Sequence, residues 1–267
     1  RQQLARDLTS PKNLVFARNS VNRFWARLLG RGLVHPLDQS HADNPPSHPE
    51  LLDVLAGKFI AKGYDLKWLI RSIMLSEAYQ RSSKLPKGTS SVPPESYRSA
   101  IPRALTPEQL LASVLRATGN RQRVMALEAP ADIKFDRRGY FTGTNKELPQ
   151  SHAEIQAIFI QTFGRPPGEP ETGFIPGLNQ SLFLMNDRLL LSWLEPVEGN
   201  LIHELAALEE PGEMAETLYL GILSRPPGEA EVAELEAYLE KNSKRASSAL
   251  GELAWALINS TEFRLNH

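Results

Sequence analysis

Residues 14–30, LVFARNSVNRFWARLLG, decide how the chain is read. Their apolar members fall at Leu14, Ala17, Val21, Phe24, Trp25 and Leu28, the i, i+3, i+4, i+7 spacing that gives a helix one buried stripe. Ser10 followed by Pro11 predicts an N-cap and a first-turn proline, and Gly30 with Gly32 ends the element. Asn19, Asn22, Arg23 and Arg27 are then expected on the sides flanking or opposite the stripe.

Working outward, the stretch from His35 to Pro46 carries three prolines and no periodicity, and reads as an ordered loop. Ser47-His48-Pro49-Glu50 has the pattern of a capping box, in which a Ser at N-cap and a Glu three residues on satisfy each other's amides. A helix is expected from there through Leu51, Leu52, Leu55 and Phe59 to Gly63. A second follows from Asp65 to Tyr79 and is expected to pack antiparallel to it, because the connection is so short.

From Ser82 to Ser99 the composition turns to Ser, Pro, Lys and Gly, too poor in apolar surface to hold a structure of its own. This predicts an N-terminal helical subdomain over 1–81, a linker over 82–102 and a C-terminal helical subdomain over 103–267. In the last, Thr106-Pro107-Glu108-Gln109 and Ser151-His152-Ala153-Glu154 are further capping boxes, with Gly119 and Gly164 closing their helices. Helices are expected near 179–194, 200–209, 213–223, 229–242 and 246–260, and Tyr140-Phe141-Thr142 suggests one short β-hairpin near 135–145. The fold class is mainly α, an irregular multi-helix bundle with long Pro/Gly-rich loops. Arg165-Pro166-Pro167-Gly168-Glu169 recurs as Arg225-Pro226-Pro227-Gly228-Glu229, but two copies do not make a solenoid.

The totals exclude several classes. A chain of 267 residues, 41% hydrophobic, can bury a core without metals or disulfides. Thirty Lys and Arg against thirty-one Asp and Glu leave a net charge of −1, so no overall field favours nucleic acid or an anionic membrane. No run is long and apolar enough to span a bilayer, and the opening RQQLARDLTS has neither a signal-peptide core nor an initiator Met, as expected for a fragment of a longer protein. With no cysteine, thiolate metal sites, Cys nucleophiles and covalent haem attachment are excluded within the chain. Serine-hydrolase elbows, phosphate-cradling loops, dinucleotide fingerprints and zinc-protease helices are absent as motifs.

Three blocks carry a resemblance. Asn22-Arg23-Phe24-Trp25, Gly30-Arg31-Gly32-Leu33-Val34 and Asn44-Pro45-Pro46-Ser47-His48-Pro49-Glu50-Leu51-Leu52-Asp53 look like the signature of the planctomycete domain-of-unknown-function 1553 family. Phe163-Gly164-Arg165-Pro166-Pro167, Leu223-Ser224-Arg225-Pro226-Pro227 and Asn259-Ser260-Thr261-Glu262-Phe263 follow in that family's order. The resemblance implies a C-terminal module of large exported proteins, with a sister domain and often a cytochrome-like, haem-bearing domain upstream. It therefore implies an extracytoplasmic location, periplasmic or secreted, and names no reaction. Many relatives carry a Cys-containing segment after the Phe-Gly-Arg-Pro-Pro turn; this chain has Gly168-Glu169-Pro170-Glu171-Thr172-Gly173-Phe174 instead.

The residues that bear chemistry gather around the first loop. Asn22, Arg23 and His48 are the candidate binding residues, since an Arg fork donates two parallel hydrogen bonds to a carboxylate, sulfate or glycan hydroxyl. Against this stands a fastening role, with Arg23 paired to Asp38 or Asp53. An enzyme acting on polysaccharide or sulfated glycan would use Asp38, His48 and Asp53 as its catalytic groups beside Arg23. A metal or noncovalent haem would take His35, His41 and His48, with Asp38, Asp43 and Glu50 nearby, although no pair has the spacing of a helical His site. Asp136-Arg137-Arg138-Gly139-Tyr140 is a basic and aromatic cluster read as a solvated loop. Arg165 and Arg225 are expected to meet the carbonyls of the helix ends they follow.

The leading expectation is a non-catalytic scaffold or interaction module that needs no cofactor of its own. Its partners would be the upstream sister domain of the same polypeptide and, in the enzyme alternative, a glycan, but not nucleic acid.

Overall fold

The computed structural model describes residues 2–85, 88–89, 91–127, 151–164 and 177–266. The chain is mainly α-helical and divides into two compact units that part between Arg103 and Ala104. Extended structure among the described residues is confined to β1 (Arg103–Ala104) and β2 (Leu265–Asn266). The hairpin expected near 135–145 and the loop from Asp136 to Tyr140 lie outside the described residues.

In the first unit, α1 (Gln2–Leu8) precedes α2 (Leu14–Leu29), which buries Ala17, Val21, Trp25 and Leu29 along one face. The α2 start differs from the expectation. Asn13, not Ser10, is the N-cap, its Oδ1 accepting from the Phe16 N–H at 3.1 Å. An N-cap must lie next to the first periodic residue, and Pro11 falls in a turn before it. Gly30 closes α2 in the left-handed region (φ 85°), its N–H donating to the Ala26 carbonyl, as a helix end needs from a residue without a Cβ.

α3 (Pro49–Ala61) buries Leu52, Ala56 and Phe59 against the stripe of α2, and α4 (Leu66–Met74) adds Leu69 and Ile73. The capping box expected at Ser47 does not form. His48 occupies the N-cap position without a side-chain cap, Ser47 donates its N–H to the Leu33 carbonyl at 2.7 Å, and its hydroxyl lies 3.1 Å from His48 Nδ1. Pro49 at N1 pre-sets the helical φ, so the start does not depend on the serine. α4 opens on Asp65, whose carboxylate accepts from the Lys67 and Trp68 N–H groups, and ends at Met74 rather than Tyr79.

The second unit holds ten α-helices among the described residues. α5 (Pro107–Ala117) has the reciprocal capping box of Thr106 and Gln109, and Gly119 (φ 74°) follows its end. After α6 (Arg121–Met125), α7 (His152–Phe163) starts on Ser151 and packs Phe159 against Phe183 and Trp193. The helix expected over 179–194 is two, α8 (Leu178–Asn186) and α9 (Arg188–Ser192). Asp187 breaks them by leaving the helical region and capping the Leu189 N–H at 2.9 Å. α10 (Leu201–Ala206), α11 (Pro211–Leu223), α12 (Glu229–Lys241), α13 (Ala246–Asn259) and α14 (Thr261–Arg264) complete the unit. α13 comes so close to Leu194 that a Cβ on Gly251 would stand 2.6 Å from its carbonyl.

Candidate functional site

The candidate site is the corner where the end of α2 meets the loop that leads into α3. Helical geometry places Asn22 on the same side as Val21 and Trp25, and it is 3% exposed, so it does not flank the core as its polarity suggested. Its amide closes on one residue, donating to the Val34 carbonyl and accepting from the Val34 N–H, each at 2.9 Å. Both polar ends of Asn22 are thus spent on the loop backbone, which a buried amide requires.

Gly32 makes this clamp sterically feasible. A Cβ there would lie 2.5 Å from the Val34 carbonyl oxygen, 2.7 Å from Leu37 Cδ2 and 3.0 Å from Asn22 Oδ1. Loop and helix approach at a point where only hydrogen fits.

Arg23 faces outward and meets Asp38 at 2.6 Å, while Asp53 pairs with Arg18 at 3.2 Å. The two carboxylates considered for glycan hydrolysis are therefore each held by a different arginine, and both are largely exposed. His41 and Asp43 lie 3.9 Å apart at the surface of the loop. Asn44 gives its amide to the Gln39 carbonyl at 2.8 Å and the His35 carbonyl at 3.4 Å. Among the described residues, no three of the His, Asp and Glu side chains come together as a metal-holding group, so His35, His41 and His48 are not brought to one point.

His35 precedes a cis proline, Pro36, and its Nδ1 is buried with no hydrogen-bond partner among the described residues. Burial, helped by the Arg31 charge, holds the ring below its ordinary 6.5.

Tyr97 completes the corner from within the stretch whose composition reads as a linker. It follows the short turn Pro94–Ser96, adopts a left-handed φ of 50°, and is 5% exposed. Its ring meets Trp25 edge-on at 5.3 Å and lies 5.7 Å from the His48 ring, and its hydroxyl donates to the Arg31 carbonyl at 3.1 Å. Burial pushes the phenol above its ordinary 10. A lone Tyr among Ser and Pro offers no periodicity from which such a role can be read.

A second polar knot lies in the other unit. Arg225, expected to meet the carbonyls of the helix it follows, instead bonds the carbonyl of Pro226, outside any helix, at 3.1 Å, and its main partners are carboxylates: Glu231 at 2.7 and 2.8 Å, Glu262 at 2.6 and 3.0 Å. The guanidinium also sits 5.3 Å from the centre of the Tyr219 ring. Glu231 reaches back to the Gly228 N–H at 2.7 Å, so one side chain caps α12 and neutralises the arginine. Hydrogen bonds from Arg225 and Gly228 hold the Glu231 carboxyl down at about 2. The recurrent Arg-Pro-Pro-Gly-Glu string is, at its second occurrence, a tie between the ends of α11, α12 and α14. Its first occurrence, with Arg165, lies outside the described residues.

Searches of curated proteins and of solved structures give no match. Comparison with protein families matches residues 1–239 to a family described as a protein of unknown function, DUF1553. That match covers the Asn22–Val34 corner, the Pro-Pro-Ser-His turn and the Arg225–Glu231 pair, and the chain belongs to the DUF1553 family.

Proposed function

We propose that this domain is a non-catalytic docking module of a longer exported protein, held against a sister domain of the same polypeptide outside the cytoplasm. The observation that carries the proposal is the use made of Asn22 and Arg23, the most chemically capable of the signature residues. Asn22 is closed on Val34 and Arg23 on Asp38, so both act as fasteners of the loop from Leu33 to His48. The Asn22 amide cannot meet a substrate without first breaking those bonds, and Arg23 finds its carboxylate partner in the loop itself. Val15 and Leu75 in the first unit and Leu178 in the second, between 69% and 76% exposed, are apolar side chains that docking of either unit would cover.

The proposal is tested by co-expressing this chain with the segment that precedes it in the full-length protein, as two polypeptides. The pair is expected to co-elute as a stable complex at about 10 μM, a concentration that reports micromolar affinity or better. Separate elution would overturn the docking role. Shortening of a polysaccharide by the purified chain, lost in Asp38→Asn or Asp53→Asn, would overturn the non-catalytic one.

A further inference from the structure

The net charge of −1 conceals a strong segregation. Residues 1–103 hold sixteen Lys and Arg against eight Asp and Glu, and residues 104–267 hold fourteen against twenty-three. The acidic excess is densest over 195–240, where twelve Glu stand against a single Lys or Arg, Arg225, which Glu231 and Glu262 already neutralise.

Two helix faces express this segregation in matching order. α4 exposes Lys67, Arg71 and Met74, at i, i+4 and i+7. α11 exposes Glu213, Glu216 and Leu220, at i, i+3 and i+7. None of these four charged side chains has an ion pair among the described residues, and Met74 and Leu220 are 40% and 46% exposed. At 1.5 Å of rise per residue, each set spans about 10.5 Å, so the first charge and the apolar side chain stand at the same interval on both helices, with the second charge offset by one residue between them.

We infer that α4 of one copy of the chain docks on α11 of a second copy. With the two helices parallel, Lys67 faces Glu213, Arg71 faces Glu216, and Met74 packs on Leu220. The two faces differ, so the contact is head-to-tail, and each copy keeps a second face free for a further copy or for closing a ring. Exposed ion pairs are individually weak and screened, which makes the assembly concentration-dependent and salt-sensitive. This self-association goes beyond the docking role proposed above and does not use the upstream domain, so either can fail without the other.

The test is sedimentation velocity of the whole chain from about 5 to about 200 μM, at roughly 20 mM and roughly 500 mM salt, conditions that span strong and weak screening. The average mass is expected to climb with concentration at low salt, to that of a dimer or beyond, and to fall back at high salt. The paired variants Lys67→Glu with Arg71→Glu, and Glu213→Lys with Glu216→Lys, are each expected to weaken association at least about tenfold, as like-charge juxtaposition requires. Mixing the two is expected to restore a complex, because the basic α4 of one variant meets the acidic α11 of the other; recovery also shows that both are folded. A wild-type chain that stays monomeric at low salt overturns the inference. So do association that survives either pair of reversals and a mixture that regains nothing.

Discussion

Asn22 and Val34 form a closed ring of two hydrogen bonds, both 2.9 Å, between a helix side chain and a loop backbone twelve residues later. Removing the amide leaves the N–H and C=O of Val34, itself only 6% exposed, without partners. Asn22→Ala is therefore expected to cost about 2–4 kcal/mol, the range for orphaned buried polar groups. Urea unfolding followed through the indole resonance of Trp25 reports this unit. An unchanged midpoint would show that the ring is incidental.

Gly32 and Gly57 make opposite predictions from the same substitution. Gly32→Ala places a Cβ against the Val34 carbonyl at 2.5 Å and against Asn22 Oδ1 at 3.0 Å, so the clamp must open. The expected loss is about 2 kcal/mol or more, typical of overpacking at a backbone contact. Gly57 lies inside α3 in open space, with nothing within 4 Å of where a Cβ would stand, and Gly57→Ala is expected to stabilise by about 0.5–1 kcal/mol. Thermal melts of the two variants should move to opposite sides of the wild type.

Helices are legible wherever one signal, apolar periodicity, acts over several turns. The α2 stripe through Ala17, Val21 and Trp25 and the reciprocal cap of Thr106 and Gln109 both stand where the residues place them. The corner is legible only in part, because its contacts join residues far apart in the chain. Opposite charge anticipates Arg23–Asp38, but Asp53 turns to Arg18, which sits one helical turn from Asn22. Asn22 itself belongs to the buried face and not to the outer one that its polarity suggests. A polar residue adjoining an apolar stripe reads as surface until a buried carbonyl that needs its amide is known. Tyr97 is hidden for the complementary reason: composition averages over a window, and one buried aromatic does not shift the average.

Tyr97 offers a two-step test of how the stretch after α4 is fastened. Tyr97→Phe removes only the hydroxyl that donates to the Arg31 carbonyl, with an expected cost of about 1 kcal/mol. Tyr97→Ala also removes the ring that meets Trp25 at 5.3 Å, with an expected cost of about 3–5 kcal/mol. Faster proteolysis between residues 81 and 103 in the alanine variant, but not in the phenylalanine variant, would show that the ring is the anchor. Equal protection in both would leave Tyr97 a passenger.

Glu231 gives the second unit an acid limit. In the unfolded chain its carboxyl titrates near the ordinary 4.5, while in the fold the Arg225 and Gly228 hydrogen bonds hold it at about 2. Between those values acid protonates the unfolded chain first, so the stabilisation is whole above about pH 5 and drains as pH falls toward 2. The pair is about one-third exposed, and solvent screening reduces its worth to about 1 kcal/mol. Glu231→Gln is expected to lose that amount at pH 7 and to flatten the dependence below pH 4.5, until the two proteins converge near pH 2. His35 acts in the other unit and at higher pH. Its folded value lies below 6.5, so protonation of the unfolded chain begins to cost stability as pH falls through that value. Urea midpoints read from the Trp255 resonance, which belongs to the second unit, separate the two effects. A Glu231→Gln profile parallel to wild type from pH 7 to pH 2 would mean that the Arg225 tie contributes nothing to stability.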